Sequence, residues 1–383
     1  MRIKEKIKWL LLTISVLLTV IMYHPNIYNS GLYGSTRLLV MGILGSLTLL
    51  SITSRKSLMG IELFKKVFFV CLIVGIEFVL FYTFSLRVTW DDFIQLFMIL
   101  LFLVIGIGIK YNSKGVLITS TLYCITTLII GLFSINYYLG GFNIMGNMNL
   151  IEGKNQLGAV VALGGGTAFY LSQQSHAKIR FVYIAIALFI LALLSVIRCR
   201  TALVGYVFFV AIYVLRFWDN RSKAYFFFLL FFASVICYNE IIDIFNSVII
   251  ENKDTEDLNA LSTGRFERNA QGLNYLALHF FDGELYGKSG IDLIHNYLLL
   301  RFVRYGIWGM PFCIIYFIFL IEIVKVFRRK LNDITYIGTH LLIIPFFCSL
   351  LEPSAPFGPG SVYMFPFLLY GMKMNKLRAN GSL

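Results

Sequence analysis

The side chains richest in chemistry fall in one stretch of this chain, Ser262 to Gly306, the longest segment outside its apolar runs. Arg265 and Arg268 stand one helical turn apart there, and the pair His295–Asn296 immediately precedes a membrane-length apolar run. Guanidinium groups present planar donors that match phosphate oxygens two at a time, so such a pair suits a phosphate or a diphosphate. A histidine titrates near working pH; opposite an arginine cluster it is a candidate general base for a hydroxyl, while a lone interfacial histidine is more often a structural residue. Arg198 and Arg200 flank Cys199 in a tight turn between two apolar runs. A guanidinium beside a bilayer core requires an anion, a wet cavity, or a route to lipid phosphates by snorkelling. Glu352 is a lone carboxylate opening a Pro- and Gly-rich lip, Glu352 to Gly360.

Several chemistries lack their motifs. Neither GxxxxGK[ST] nor HExxH occurs, which leaves nucleotide hydrolysis and zinc proteolysis without support. The six cysteines are scattered, with no CxxC pair, which argues against a disulfide framework or a zinc site. A net charge of +13 invites a nucleic-acid reading, but the placement of the charges points elsewhere.

With 58% hydrophobic and 14% charged residues over 383 positions, the chain reads as an all-α polytopic membrane protein, one integral-membrane domain over 1–383. The apolar runs predict twelve spans, near 8–23, 38–53, 67–86, 93–109, 116–135, 157–172, 181–197, 201–217, 224–238, 307–324, 335–351 and 361–372. Of the 33 Lys and Arg, 22 then fall on the face carrying both termini and 11 on the other. By the positive-inside rule the first face is cytoplasmic. Glu77 is isolated within the third span, as a buried hydrogen-bonding group or a cavity lining.

Two outward loops exceed a connector's length. Asn136 to Gln156 is rich in Gly, Asn and Tyr and reads either as a surface for sugars or head groups or as a plain polar turn. The large extracytoplasmic loop, 239–306, opens with an acidic part (Ile249 to Leu261) and becomes helical beyond Gly264. There Phe266, Ala270, Leu273, Leu276, Ala277 and Phe280 form one stripe, the pattern of a helix lying flat on the membrane surface. Helical geometry points Arg301 and Arg304 away from His295, towards lipid phosphates or the acidic segment.

These motifs together resemble the superfamily of O-antigen ligases and polysaccharide polymerases of bacterial envelopes, most closely its capsular and exopolysaccharide polymerases. Ser195-x-x-Arg198-x-Arg200-Thr201-Ala202 looks like the family's S-R-x-(A/G) element, matching Arg200 rather than Arg198. Thr263-Gly264-Arg265 resembles its S-G-R element, Glu284 to Gly287 its P-L-F-G turn, and His295-Asn296 with Gly306-Ile307 its H-N-x-x-L…G-I element. Asn155-Gln156-Leu157-Gly158 echoes an Asn-rich element, and Glu352-Pro353 with its lip looks like the polymerase branch. The likeness covers roughly residues 145–370. It departs at Arg304, where such sequences often carry an acid, and in lacking an aromatic residue soon after the Thr-Gly-Arg element.

The resemblance implies a GT-C-like frame and metal-independent glycosyl transfer, without cofactor, from undecaprenyl-diphosphate-linked oligosaccharide donor to glycan acceptor at the outer face of the cell membrane. His295, Arg265 and Arg200 would be catalytic; Arg198, Arg268, Asn296, Asn155 and Glu352 would bind substrate. The bilayer is the expected surroundings, a flippase and a chain-length regulator are candidate partners, and nucleic acid is not expected. A ligase of the same superfamily is the nearest alternative. A transporter or lipid flippase is the alternative of another class, but it predicts symmetric halves and midplane charges, and here the halves look dissimilar.

Overall fold

A computed structural model describes residues 3–52, 61–139, 153–236, 238–239, 242, 264–291, 294–358 and 360–379. Most of the loop 136–156, the acidic segment 249–261 and Thr263 lie outside the described residues. Within them the protein is helical, with no strand. The helices are α1 (Ile3–Ile21), α2 (Leu32–Ile52), α3 (Glu62–Thr83), α4 (Trp90–Gly108), α5 (Ser113–Leu139) and α6 (Lys154–Gln174). They continue with α7 (Ala177–Ile197), α8 (Arg200–Phe217), α9 (Asn220–Ile236), α10 (Arg265–Leu278), α11 (Tyr297–Tyr305) and α12 (Met310–Arg328). The chain closes with the short α13 (Ile337–Leu341) and α14 (Ile343–Cys348), then α15 (Met364–Ala379).

Among the described residues six helical segments are long and apolar enough to cross a membrane: Leu32–Ser51, Trp90–Gly108, Ser113–Tyr138, Ala177–Ile197, Arg200–Phe217 and Tyr297–Arg328. The chain is thus a polytopic membrane protein by length and composition of its helices. The expected run 335–351 is not one helix: a 3-10 turn at Ile334–Tyr336 leads into α13 and α14. Pro345 lies within α14, where it supplies no backbone donor. The last helix begins at Met364 and continues through Lys373, Lys376 and Arg378.

The centre of the bundle is α6, buried from Leu157 to Ser172 on every side. Three consecutive glycines make that possible. A methyl group at Gly164 would strike Thr127 of α5, one at Gly165 would meet Ile190 of α7 and Tyr206 of α8, and one at Gly166 would meet Ile344 of α14. Small residues let helix backbones approach closely where the hydrophobic effect gives no drive to associate. Because α6 faces protein and not lipid, it needs less apolar character than the spans around it.

The helix α10 forms where its stripe predicted. It rests on the segment leading into α11 through Gly272, the one buried residue of α10, whose surroundings are Ile294, Leu299 and Val303. Phe266, Ala270, Leu273 and Ala277 are exposed.

The partner that the described residues give Arg301 and Arg304 is one the sequence did not suggest, while the acidic segment lies outside those residues. Both pair with Asp92 in the first turn of α4, Arg304 at 2.7 Å, and the Tyr305 hydroxyl donates to the same carboxylate at 2.9 Å. Arg301 is 1% exposed and Asp92 3%, and the Arg301 guanidinium also lies over the rings of Tyr297 and Phe312. The physical reason is that a guanidinium enclosed in apolar surroundings is costly unless it meets a counterion. Removing one partner strands the others, so Asp92→Ala should destabilise the protein by roughly 3–5 kcal/mol. Thermal unfolding of the detergent-solubilised protein measures this, and an unchanged midpoint would contradict the ion cluster.

Candidate functional site

The site is built where three elements end at the same face of the bundle: the start of α8, the start of α10, and the lip after α14. Gly264, at the N-cap of α10, has φ of +76°, a left-handed conformation that glycine adopts without a Cβ clash. It turns the chain so that Arg265 opens the helix. Arg265 Nη1 donates to the Leu351 carbonyl at 2.9 Å and to Thr201 Oγ1 at 3.4 Å. Its Nη2 lies 3.5 Å from Glu352 Oε1, and the Thr201 hydroxyl donates to that same oxygen at 3.1 Å.

One turn on, Arg268 Nη1 lies 3.3 Å from His295 Nε2. Arginine has no acceptor, so it donates and Nε2 accepts; the neutral ring then carries its proton on Nδ1. That nitrogen is buried without a partner. A buried donor of this kind is one that a ligand oxygen could satisfy.

The electrostatics follow from the geometry. Burial, then Arg265 and then Arg268, lower the His295 pKa to about 4, because protonation would add a third positive charge in a desolvated place. Burial raises the Glu352 carboxyl, while Arg265 and the Thr201 hydroxyl act against that rise without cancelling it.

The sequence-derived candidates divide into groups. Arg265, Arg268, His295 and Glu352 are brought together. Arg200 is the first residue of α8, next in the chain to Thr201, and Arg198 caps α7 in the left-handed region at φ of +57°. Asn155 lies in the first turn of α6, its Oδ1 accepting from the Cys199 thiol at 3.7 Å, which docks α6 against the Arg198–Arg200 turn. The Asn296 side-chain oxygen caps α11 by accepting from Leu299 N at 3.0 Å, so it helps fix His295 at the helix entrance. Two participants were missed. A threonine hydroxyl beside a noticed arginine carries little signal of its own, and a backbone carbonyl such as that of Leu351 carries none.

Below the site an apolar groove of about 830 Å³ runs between α8, α12 and α14, lined by Phe208, Ile212, Leu320, Ile323, Phe347 and Leu350 among others. Its Leu350 end is one residue from the carbonyl that Arg265 holds. Among the described residues no group of three His, Cys, Asp or Glu side chains is placed to hold a metal ion. No protein-family model, curated protein or solved structure matches the chain.

The pKa of His295 is directly testable. Its imidazole should titrate near pH 4 in the ligand-free protein, read by hydrogen–deuterium exchange at the ring C2 position. Arg268→Gln removes one of the two neighbouring cations and should move the midpoint upward. A wild-type midpoint at the ordinary value of 6.5, unmoved by that substitution, would contradict the coupling.

Proposed function

We propose that this protein is a polysaccharide polymerase, a glycosyltransferase that moves undecaprenyl-diphosphate-linked oligosaccharide repeats onto a growing glycan at the outer face of the cytoplasmic membrane. The observation that carries this reading is the cluster of Arg265, Arg268, Glu352 and His295 set at the end of an apolar groove. The reading takes both termini as cytoplasmic and counts twelve crossings, adding α1, α3, α6, α9, the α13–α14 pair and α15 to the six segments above.

The chemistry runs as one substitution. The acceptor hydroxyl oxygen attacks the anomeric carbon, the bond from that carbon to the diphosphate oxygen breaks, and the hydroxyl proton passes to His295 Nε2. Polyprenyl diphosphate leaves with the bonding electrons. Arg265 and Arg268, with Arg200 beside Thr201, stabilise the charge that develops on the leaving oxygen. In the ligand-free arrangement Glu352 is the counterion of Arg265, and the His295 lone pair receives Arg268.

A diphosphate would draw both guanidiniums to itself, which frees Nε2 for the acceptor hydroxyl. It would also offset the two positive charges that add to burial in making His295 a weak base, so donor binding raises its basicity. The groove takes the polyprenyl chain by simple apolar burial.

His295→Ala should reduce polymer in intact cells by roughly a hundredfold or more while the protein still inserts in the membrane. Wild-type polymer from that variant would remove His295 from the chemistry. Arg200→Lys should be severely impaired, because lysine keeps the charge but loses the two-pronged geometry, and Arg198→Lys should be tolerated. The reverse ranking would assign the leaving group to Arg198. Cells lacking the protein should accumulate single lipid-linked repeats; accumulation of finished lipid-linked polymer would instead indicate the ligase alternative.

A further inference from the structure

A second concave region lies on the same face, outside the arginine–histidine cluster. A cavity of about 390 Å³ is lined by Arg87, Thr89, Glu284, Lys288, Ser289 and Arg304, with an apolar floor that includes Ile294. A smaller one of about 170 Å³ shares Thr89, Leu300 and Arg304 with it and runs past Gln95 to Pro353 and Ser354; its carboxylates, Asp91 and Asp92, lie beside Arg301 and Arg304, so the excess of cations is confined to the larger cavity. Through the shared residues the two cavities adjoin as a trough, with Pro353, next in the chain to Glu352, at one end and Arg87 and Lys288 at the other.

The lining suits a glycan. The Gln95 side-chain oxygen is buried with no partner, an acceptor that a sugar hydroxyl would satisfy. Thr89 stands at the N-cap of α4, yet its hydroxyl makes no capping bond. Glu284 accepts from the backbone and hydroxyl of Ser289, which holds the loop that carries Lys288. At the far end Arg87 and Lys288 are exposed, and with Arg304 they make three cations against the single carboxylate of Glu284 in that cavity. Arg304 is shared with Asp92, while no bond from the Arg87 or Lys288 side chain is among those of the described residues.

We propose that this trough is a subsite for an acidic segment of the glycan, with neutral hydroxyls along Gln95, Thr89 and Ser354 and the carboxylate of a sugar acid between Arg87 and Lys288. The proposal rests on the glycosyl-transfer reading of the neighbouring site and specifies the substrate class: a saccharide bearing carboxylates, in addition to its lipid diphosphate. The mixed lining favours a sugar over a lipid head group, because Gln95 and Glu284 add acceptors for hydroxyl donors, which a saccharide carries on every residue.

Binding tests the subsite separately from catalysis. The full-length protein in detergent micelles is titrated with tetragalacturonate, and with maltotetraose as the neutral counterpart. Tetragalacturonate should bind the wild type more tightly than maltotetraose. Arg87→Glu with Lys288→Glu should weaken tetragalacturonate binding by roughly tenfold or more, as loss of charge-assisted hydrogen bonds does. Binding is read without any lipid diphosphate donor, so loss of the subsite is read independently of loss of chemistry. Equal binding of the two tetrasaccharides, or of the wild type and the charge-reversed variant, would overturn the subsite and leave the catalytic reading untouched. Displacement of tetragalacturonate by phosphatidylglycerol micelles, at concentrations where phosphatidylcholine has no effect, would also overturn it and assign the cations to lipid.

Discussion

A charge enclosed among apolar helices must find its counterion within the protein, and Asp92 is where that constraint is most severe. Its carboxylate takes Arg301, Arg304 and the Tyr305 hydroxyl, tying the start of α4 to α11. The helix so anchored begins immediately after His295, and its cap is Asn296. The position of the candidate base is therefore set by an ion cluster deeper in the bundle. Two cations of that cluster are also structural walls: Arg301 fills an aromatic cage, and Arg304 reaches the trough. A buried pair of this kind adds less net stability than its contacts suggest, since desolvation offsets much of the attraction.

At the neighbouring site the same constraint takes a looser form. Arg265 and Glu352 are both partly exposed and paired at 3.5 Å, a distance that a stronger anion can take over. Arg268 donates to a neutral imidazole, a weaker acceptor than phosphate. The tightly closed cluster holds the scaffold, and the looser one leaves its guanidiniums able to change partners. That contrast is the physical basis for assigning substrate chemistry to Arg265, Arg268 and His295, and a positioning role to Asp92, Arg301 and Arg304.

Much of this site was legible in the sequence because its signals are local. The one-turn spacing of Arg265 and Arg268, the apolar stripe of α10 and the position of His295 at a helix entrance all come from neighbouring residues. Helical geometry also separated Arg301 and Arg304 correctly from His295. Their partner was not legible: Asp92 and Arg304 are 212 positions apart, and Asp92 lies just before the apolar run that starts at Phe93. The break at α13–α14 was missed for a related reason, since composition alone does not tell a continuous span from two short helices divided within the bundle. The low apolar character of α6 comes from its protein-lined surroundings, which only the packing reveals.

The central claim is that arginines and a histidine transfer glycan from a lipid diphosphate. The most direct measurement reconstitutes the purified protein in liposomes with a polyprenyl-diphosphate oligosaccharide, in chelator and without any nucleotide sugar. Free polyprenyl diphosphate and lengthened oligosaccharide should then appear together, in equal numbers of new glycosidic bonds and released carriers. Release of neither, or translocation of an intact lipid-linked oligosaccharide across the bilayer with no new bond, would contradict the account.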